Sequence, residues 1–479
     1  MTSPPAMLLD QLAALLGPKG YTAAPAELEP WLIDWRGRYQ GAAAALLAPG
    51  DTAEVQQIVR LCSQYRVPLV PQGGNTSMVG GAIPDRTGNA LLLSLRRMHS
   101  IRHVDRQENS MVCEAGVVLA DVHDAADKCG RRFPLTLGAR GSATVGGLVS
   151  SNAGGTQVLR FGTMRALVQG LEAVLPDGSL YAGLRPLKKD NRGYQLDGLL
   201  VGAEGTLGVV TAANLKLVPA IGSRAVAWVG LDRPQTAARL LRFLEQRLPD
   251  AVESFELVPQ ASLNLVLRHI PDTRAPLVAG QPWNVLIEAT APAGAPPPDL
   301  EAALAEGAGQ GLLDDAVLAA SETQAEALWR LRDSISEAEK RDGPAAKHDI
   351  SVPVDAMPGF IVDATRAVEA RFPGTRVNAF GHLGDGNVHF NVRAPADSGD
   401  NWLQREGGAI SRYVHDLVTA AGGSISAEHG IGQMKIDELA RLGDPVRLAA
   451  MRAIKLALDP HGIMNPGKLV PLADSPTRS

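Results

Sequence analysis

Cysteine is scarce in this chain: Cys62, Cys113 and Cys129 are the only three among 479 residues. Their spacing matches neither a disulfide framework nor a thiolate metal site, which excludes both as scaffolds. Positive charge is not in excess, since 46 Lys and Arg stand against 51 Asp and Glu for a formal net charge of −5. That balance excludes nucleic acid and anionic membranes as default partners. No run approaches the roughly 18 apolar residues that would mark a membrane-spanning helix. The opening MTSPPAMLLDQLAALLG has no basic stretch ahead of its apolar residues and does not read as a secretory leader. A cytoplasmic protein is expected. Two nucleotide fingerprints are missing as well: there is no GxxxxGK[ST], and no GxGxxG opening a helix. A dinucleotide, if bound, is held by something other than a doubly wound sheet. Aromatics are low at 4%, whereas glycine (50) and proline (33) are abundant.

The length suggests two or three units, each with its own core. Residues 1–41 read as an N-terminal helical segment, from the apolar spacing in MLLDQLAALL. TAEVQQIVRLCSQY has the period of an amphipathic helix capped by Asp51 or Thr52, and VPLVPQGG reads as a buried strand entering a loop. Residues 89–222 alternate short apolar strands with glycine turns: ALLLSL, MVCEAGVVLADV, LEAVLPDGSLY and LGVVTAANLKLVP, with a hairpin turn at Pro176–Ser179. After residue 222, AVAWVGL, QTAARLLRFLEQRL and VESFELVP give strand, helix and strand. APAGAPPP is a loop or internal linker, and Ile436 to Leu458 reads as helical.

Three segments concentrate the glycine: PQGGNTSMVGG, GARGSATVGGLVSSNAGG and GAEGTLGVVT. Glycine lets a backbone approach a ligand, and successive N–H groups can converge on phosphate oxygens. Asn75, Thr76, Ser77, Ser142 and Thr144 add neutral polar groups, which suits a pyrophosphate held with little basic charge. Each segment alone could equally be turn chemistry in a β-rich domain. Together, with NPGK near the C-terminus, they resemble the FAD-contacting stretches of the vanillyl-alcohol oxidase/p-cresol methylhydroxylase (PCMH) flavoprotein superfamily. The resemblance runs over nearly the whole chain and implies an α+β architecture. A two-part FAD-binding domain of PCMH type would occupy 42–221. An α+β substrate domain with an antiparallel sheet would follow at 222–425, and a C-terminal helical segment, 426–479, would close the flavin site. It implies flavin contacts at Pro71, Gln72, Gly73, Gly74, Asn75, Thr76 and Ser77 in the first stretch. In the second it implies Leu137, Gly138, Gly141, Ser142, Thr144, Gly147 and Asn152, and further on Glu204, Gly205, Gly208, Val210 and Asn465. No histidine lies within the three segments, so FAD is expected to be non-covalent.

GHLGDGNVHFN (Gly381–Asn391) places His382 and His389 on either side of a glycine turn. On one straight strand they would face opposite sides, but the turn Gly384–Gly386 can fold the flanks together. AEHGIG supplies Glu428, with His429 beside it. Two imidazoles and a carboxylate form an open divalent-metal site. A bare histidine pair at this spacing is more often a packed or solvated hairpin. The two motifs together are similar to the metal motif of FAD-dependent D-2-hydroxyacid dehydrogenases, most closely those acting on D-2-hydroxyglutarate. That resemblance implies His382, His389 and Glu428 as ligands of a divalent ion, zinc foremost, with manganese or cobalt as alternatives. It implies Asn391 and His429 at the reacting carbon.

A second cluster reads ALWRLRDSISEAEKRDG, a helix with Leu328, Leu331 and Ile335 on one stripe and Arg332 and Ser336 four residues apart on another. Lys347 follows on the strand KHDISVPV. A guanidinium, a hydroxyl and an ammonium suit a carboxylate, although such residues usually face solvent. The resemblance implies that Arg332, Ser336 and Lys347 hold the substrate carboxylate, with serine standing where the family has threonine. The activity expected is oxidation of a D-2-hydroxy acid, with electrons passed to an electron-transfer flavoprotein or a quinone and a homodimer as a possible assembly. D-lactate dehydrogenase and the glycolate oxidase flavin subunit stay open as alternatives. So do a non-catalytic FAD-binding electron-transfer subunit and a metallohydrolase.

Overall fold

The fold is that of a computed structural model, which describes residues 3–399 and 401–472. Parts of the predicted N- and C-terminal segments, 1–2 and 473–479, lie outside the described residues. Among the described residues no helix is long and apolar enough to cross a membrane. The chain divides into two compact units. One contains 1–154, 162–218 and 429–479; the other contains 155–161 and 219–428.

The first unit is built on a four-stranded and a five-stranded sheet. Three parallel strands, Ala45–Leu47, Leu91–Ser94 and Leu69–Gln72, are extended by the antiparallel Tyr21–Thr22. The helix Thr52–Tyr65 covers them, because Val55, Ile58, Val59 and Cys62 fall on one buried face. Asp51 caps it, accepting a hydrogen bond from the Glu54 N–H at 2.8 Å. The second sheet is antiparallel, in the order Ile101–Asp105, Ser110–Glu114, Val209–Lys216, Val168–Val174, Leu180–Ala182. MVCEAGVVLADV is not a continuous strand. It ends at Glu114, and a helix runs over Leu119–Lys128. Gly116 is pressed against the Leu95 carbonyl with no room for a Cβ, and Leu119, Val122 and Ala126 then bury one helical face. The tail also divides, into Ile436–Leu442 and Pro445–Leu458. Asp444 caps the second helix, and Pro445, which lacks an N–H, starts it.

The second unit is built on a seven-stranded antiparallel sheet. Its order is Asp315–Leu318, Ile221–Leu231, Trp283–Pro292, Val252–Pro259, Arg376–His382, Asn387–Arg393, Ala345–Ser351. One face buries Ala379, Val388, Phe390 and Val392 together with residues of the helices Pro234–Arg247, Met357–Arg371 and Trp402–Ala420. The other face packs Trp228, Leu286 and Phe380 with residues of Gln260–His269 and Glu322–Asp333, and it carries the polar cluster described next.

Candidate functional site

The hairpin Arg376–His382/Asn387–Arg393 sets the geometry. Its register pairs His382 with Asn387, Phe380 with His389 and Asn378 with Asn391. Directly paired residues share a face, and so do residues two apart on one strand. His382, His389 and Asn391 therefore project from the same side, and the two imidazole centroids lie 5.5 Å apart. The turn depends on Gly386, whose φ is 80° and whose Cβ would meet the Val352 carbonyl at 2.1 Å. The neighbouring strands add to the same face: Asp349 pairs with His389, Lys347 with Asn391, and Glu256 with His382.

Glu256 is buried between two partners. Its Oε1 accepts from His382 Nδ1 at 2.6 Å and its Oε2 from Arg332 Nε at 2.8 Å. Burial pushes the Glu256 carboxyl up, but the charges of Arg332 and His382 outweigh it and hold the group at about 2. Burial disfavours the charged His382, yet Glu256 raises it to about 9. Glu428 Oε1 lies 3.7 Å from His382 Nε2, and this buried oxygen accepts no hydrogen bond among the described residues. Burial, with Asp349 and Asp385 nearby, pushes Glu428 up to about 7. Its backbone N–H donates to Asp349 Oδ2 at 3.0 Å, and the two carboxylates offer oxygens within 4.8 Å of each other. Four carboxylates thus gather around one guanidinium and two imidazoles. An orphaned carboxylate oxygen beside a histidine nitrogen, in a nest of excess negative charge, fits a divalent cation.

A second buried carboxylate, Glu339, organises the adjoining row. It accepts from Asn378 Nδ2 and Asn391 Nδ2, each at 2.7 Å, and Lys347 Nζ stands 3.5 Å away.

In the first unit, the glycine stretches form a cradle. A Cβ on Gly73 would meet Thr144 Oγ1 at 2.3 Å, and one on Gly74 would meet the Ser142 carbonyl at 1.7 Å. Four buried polar atoms here have no hydrogen-bond partner among the described residues: Gln72 Oε1, Asn75 Oδ1, Thr144 Oγ1 and Asn465 Oδ1. Of the nine non-glycine residues with positive φ among the described residues, four are Asn75, Asn152, Glu204 and Asn465. Backbone held in that region concentrates at ligand-binding loops. Orphaned polar atoms around glycines that admit no side chain fit a polar cofactor lying against the backbone.

Two family models match the chain: an FAD binding domain over residues 43–182, and the C-terminal domain of FAD linked oxidases over 222–469. The chain belongs to the FAD-linked oxidases. Its relatives in this family include D-2-hydroxyglutarate dehydrogenase, mitochondrial, of Bos taurus, 39% identical over 96% of this chain and 84% of that protein. Another is D-2-hydroxyglutarate dehydrogenase of Xanthomonas citri pv. viticola, 35% identical over 100% of this chain and 99% of that one. Among solved structures, p-cresol methylhydroxylase with substrate bound shares the fold, with a TM-score of 0.74 at 16% identity over 96% of both chains.

In this FAD-linked oxidase the predicted site residues divide between the two units. His382, His389, Asn391, Lys347 and Arg332 meet on one face of the second unit. Ser336 does not continue the turn of Arg332: the helix breaks at Ser334 into Glu322–Asp333 and Ile335–Arg341, and Ser336 is exposed. The stripe Leu328, Leu331 and Ile335 is buried across that break. Within the first unit, Ser77 Oγ accepts from Gly81 N–H and Asn152 Oδ1 from Arg165 N–H. The Glu204 carboxylate accepts from the Ile431 and Gly432 N–H groups at 2.7 Å each, which ties down the loop that follows His429. Sequence reading missed Glu256, Glu339 and Asp349. A signal for Asp349 was present, since it stands two residues beyond Lys347 on one strand and must share its face. For Glu256 the cue was a carboxylate inside the apolar run VESFELVP.

Proposed function

We propose that this protein oxidises a D-2-hydroxy acid, D-2-hydroxyglutarate foremost, to the 2-oxo acid, using non-covalent FAD and a divalent ion held by His382, His389 and Glu428. The observation that carries the reading is the buried Glu428 Oε1, which accepts no hydrogen bond among the described residues and lies beside His382 Nε2, on a sheet face that also bears Arg332 and Lys347. The names of the relatives support the substrate. When bound, FAD supplies a two-electron acceptor and the ion a Lewis acid.

The chain's own residues do the rest. Arg332 and Lys347 bind the substrate carboxylate and so fix which C2 face is presented. Arg332 commits one of its five N–H donors to Glu256, which holds the guanidinium plane. Asn391, anchored through Glu339, orients the 2-hydroxyl. His429, next in the chain to Glu428, accepts the hydroxyl proton as general base. Electrons leave to a carrier protein or quinone.

The test is anaerobic addition of D-2-hydroxyglutarate, D-malate, D-lactate and glycolate to the purified protein. Bleaching of the yellow flavin band should be fastest with D-2-hydroxyglutarate. Fastest bleaching with glycolate would overturn the substrate, and a colourless protein would overturn the flavin. His382→Ala should keep its flavin, lose its metal and turn over about 100-fold more slowly or less; unchanged metal content and turnover would remove the ion from the reading.

A further inference from the structure

The structure assigns Glu256 as a positioning residue that holds a metal-ligand imidazole and the carboxylate-binding guanidinium at once, so that the two halves of the site are set by a single side chain. The inference rests on the reading above for the roles of His382 and Arg332, but its geometry stands by itself. Glu256 lies in the middle of Val252–Pro259, in register with His382 on the adjoining strand, and only 1% of it is exposed. Its two oxygens serve different partners, Oε1 the His382 ring and Oε2 Arg332 Nε.

A carboxylate only accepts, so His382 Nδ1 carries the proton in this pair. A bound cation would displace the ring's other proton, and the lone pair so freed is on Nε2, the nitrogen that faces Glu428 at 3.7 Å. Partners of this kind fix the tautomer and ring orientation of a ligating histidine. The second oxygen holds Arg332 by Nε, which fixes the plane of the fork and leaves its end to point past His382, where one terminal nitrogen lies 3.3 Å from Nε2. Neither partner can rotate without breaking its bond to Glu256. Glutamine in its place offers one acceptor and one donor, so it can satisfy only one of the two.

The experiment uses the FAD-loaded full-length chain. Glu256→Gln should keep its flavin-to-protein absorbance ratio. Its dissociation constant for Zn2+ or Mn2+ alone, titrated calorimetrically without substrate, should rise about 10- to 100-fold, and KM for the hydroxy acid should rise about tenfold or more. Glu256→Asp keeps the charge but cannot reach both partners, and its values should fall between wild type and Glu256→Gln. Wild-type metal affinity and KM in a flavin-loaded Glu256 variant would overturn the assignment. If Glu256→Gln does not fold, Glu256→Asp decides. His382→Ala is the separate control. Normal metal binding there sinks the metal reading itself, whereas lost binding there with normal binding in the Glu256 variants sinks only the role of Glu256.

Discussion

Gly74 shows how much one hydrogen atom can decide. Its α-carbon sits so close to the Ser142 carbonyl that a methyl group there would lie 1.7 Å from the oxygen. The oxygen belongs to backbone, so no side chain can swing aside; two glycine-rich stretches would have to separate. Gly74→Ala should cost about 3 kcal/mol of stability and lower bound flavin, read as melting temperature and flavin-to-protein absorbance ratio; a normal melting temperature with full flavin would contradict it. At this scale the sequence was most legible where chemistry needs unusual residues. The glycines and asparagines of the cradle stand out because few other residues fit such backbone. His382 and His389 stand out because two rare side chains flank a turn. Glu256 showed only as a carboxylate within an apolar run, and Glu339 was invisible because a glutamate on a helix reads as solvated. Their meaning comes from partners 126 and 52 residues away in sequence.

At the scale of elements, the first unit's antiparallel sheet is joined to the helix Thr52–Tyr65 by one carboxylate. Glu172, on Val168–Val174, accepts from Thr52 Oγ1 at 2.8 Å and Thr211 Oγ1 at 2.9 Å, and pairs with Arg102 at 3.1 Å. Burial alone would raise its pKa, but the Arg102 and threonine hydrogen bonds bring it below 4.5. A depressed carboxylate stabilises the fold above its unfolded pKa, and the contribution disappears as pH falls through the folded value. Glu172→Gln should therefore lose about 1 kcal/mol at neutral pH. The gap to wild type should close below pH 4.5, followed by urea unfolding across a pH series; a gap that persisted in acid would refute the ion pair's part in it. Periodicity located the amphipathic helices well, since their apolar stripes face a core. It placed breaks less well. Ser334 interrupts a helix whose stripe of Leu328, Leu331 and Ile335 continues across the break, so the hydrophobic pattern carries no mark of the interruption.

For the molecule as a whole, the chain's last stretch returns to the first unit and is locked there by a buried lysine. Lys455 Nζ donates to the Thr206 carbonyl at 2.7 Å, to the Met464 carbonyl at 2.9 Å and to Asp459. Asp459 in turn accepts from the Ile463 and Met464 N–H groups. Removing one partner of a buried pair strands the other charge, so Lys455→Met should cost about 3–5 kcal/mol. Lys455→Met with Asp459→Asn should recover part of it, by denaturant unfolding; no recovery would place the loss in packing instead. The change of texture near residue 222 was legible in the sequence, but the discontinuity of the two units was not. GTQVLRF, residues 155–161, carries no signal that it leaves the first unit and rejoins it seven residues later.

That short excursion limits how the protein can be dissected. Leu159 lies against Gly384 in the histidine hairpin's turn, the Thr156 carbonyl accepts from Ser254 Oγ, and Arg160 reaches Thr290 Oγ1 and the buried Glu253. A gene fragment encoding 219–428 would hold every strand of the seven-stranded sheet yet lack this cation. The second unit is thus sequence-discontinuous, and swapping it between relatives as one uninterrupted cassette would leave a piece of it behind.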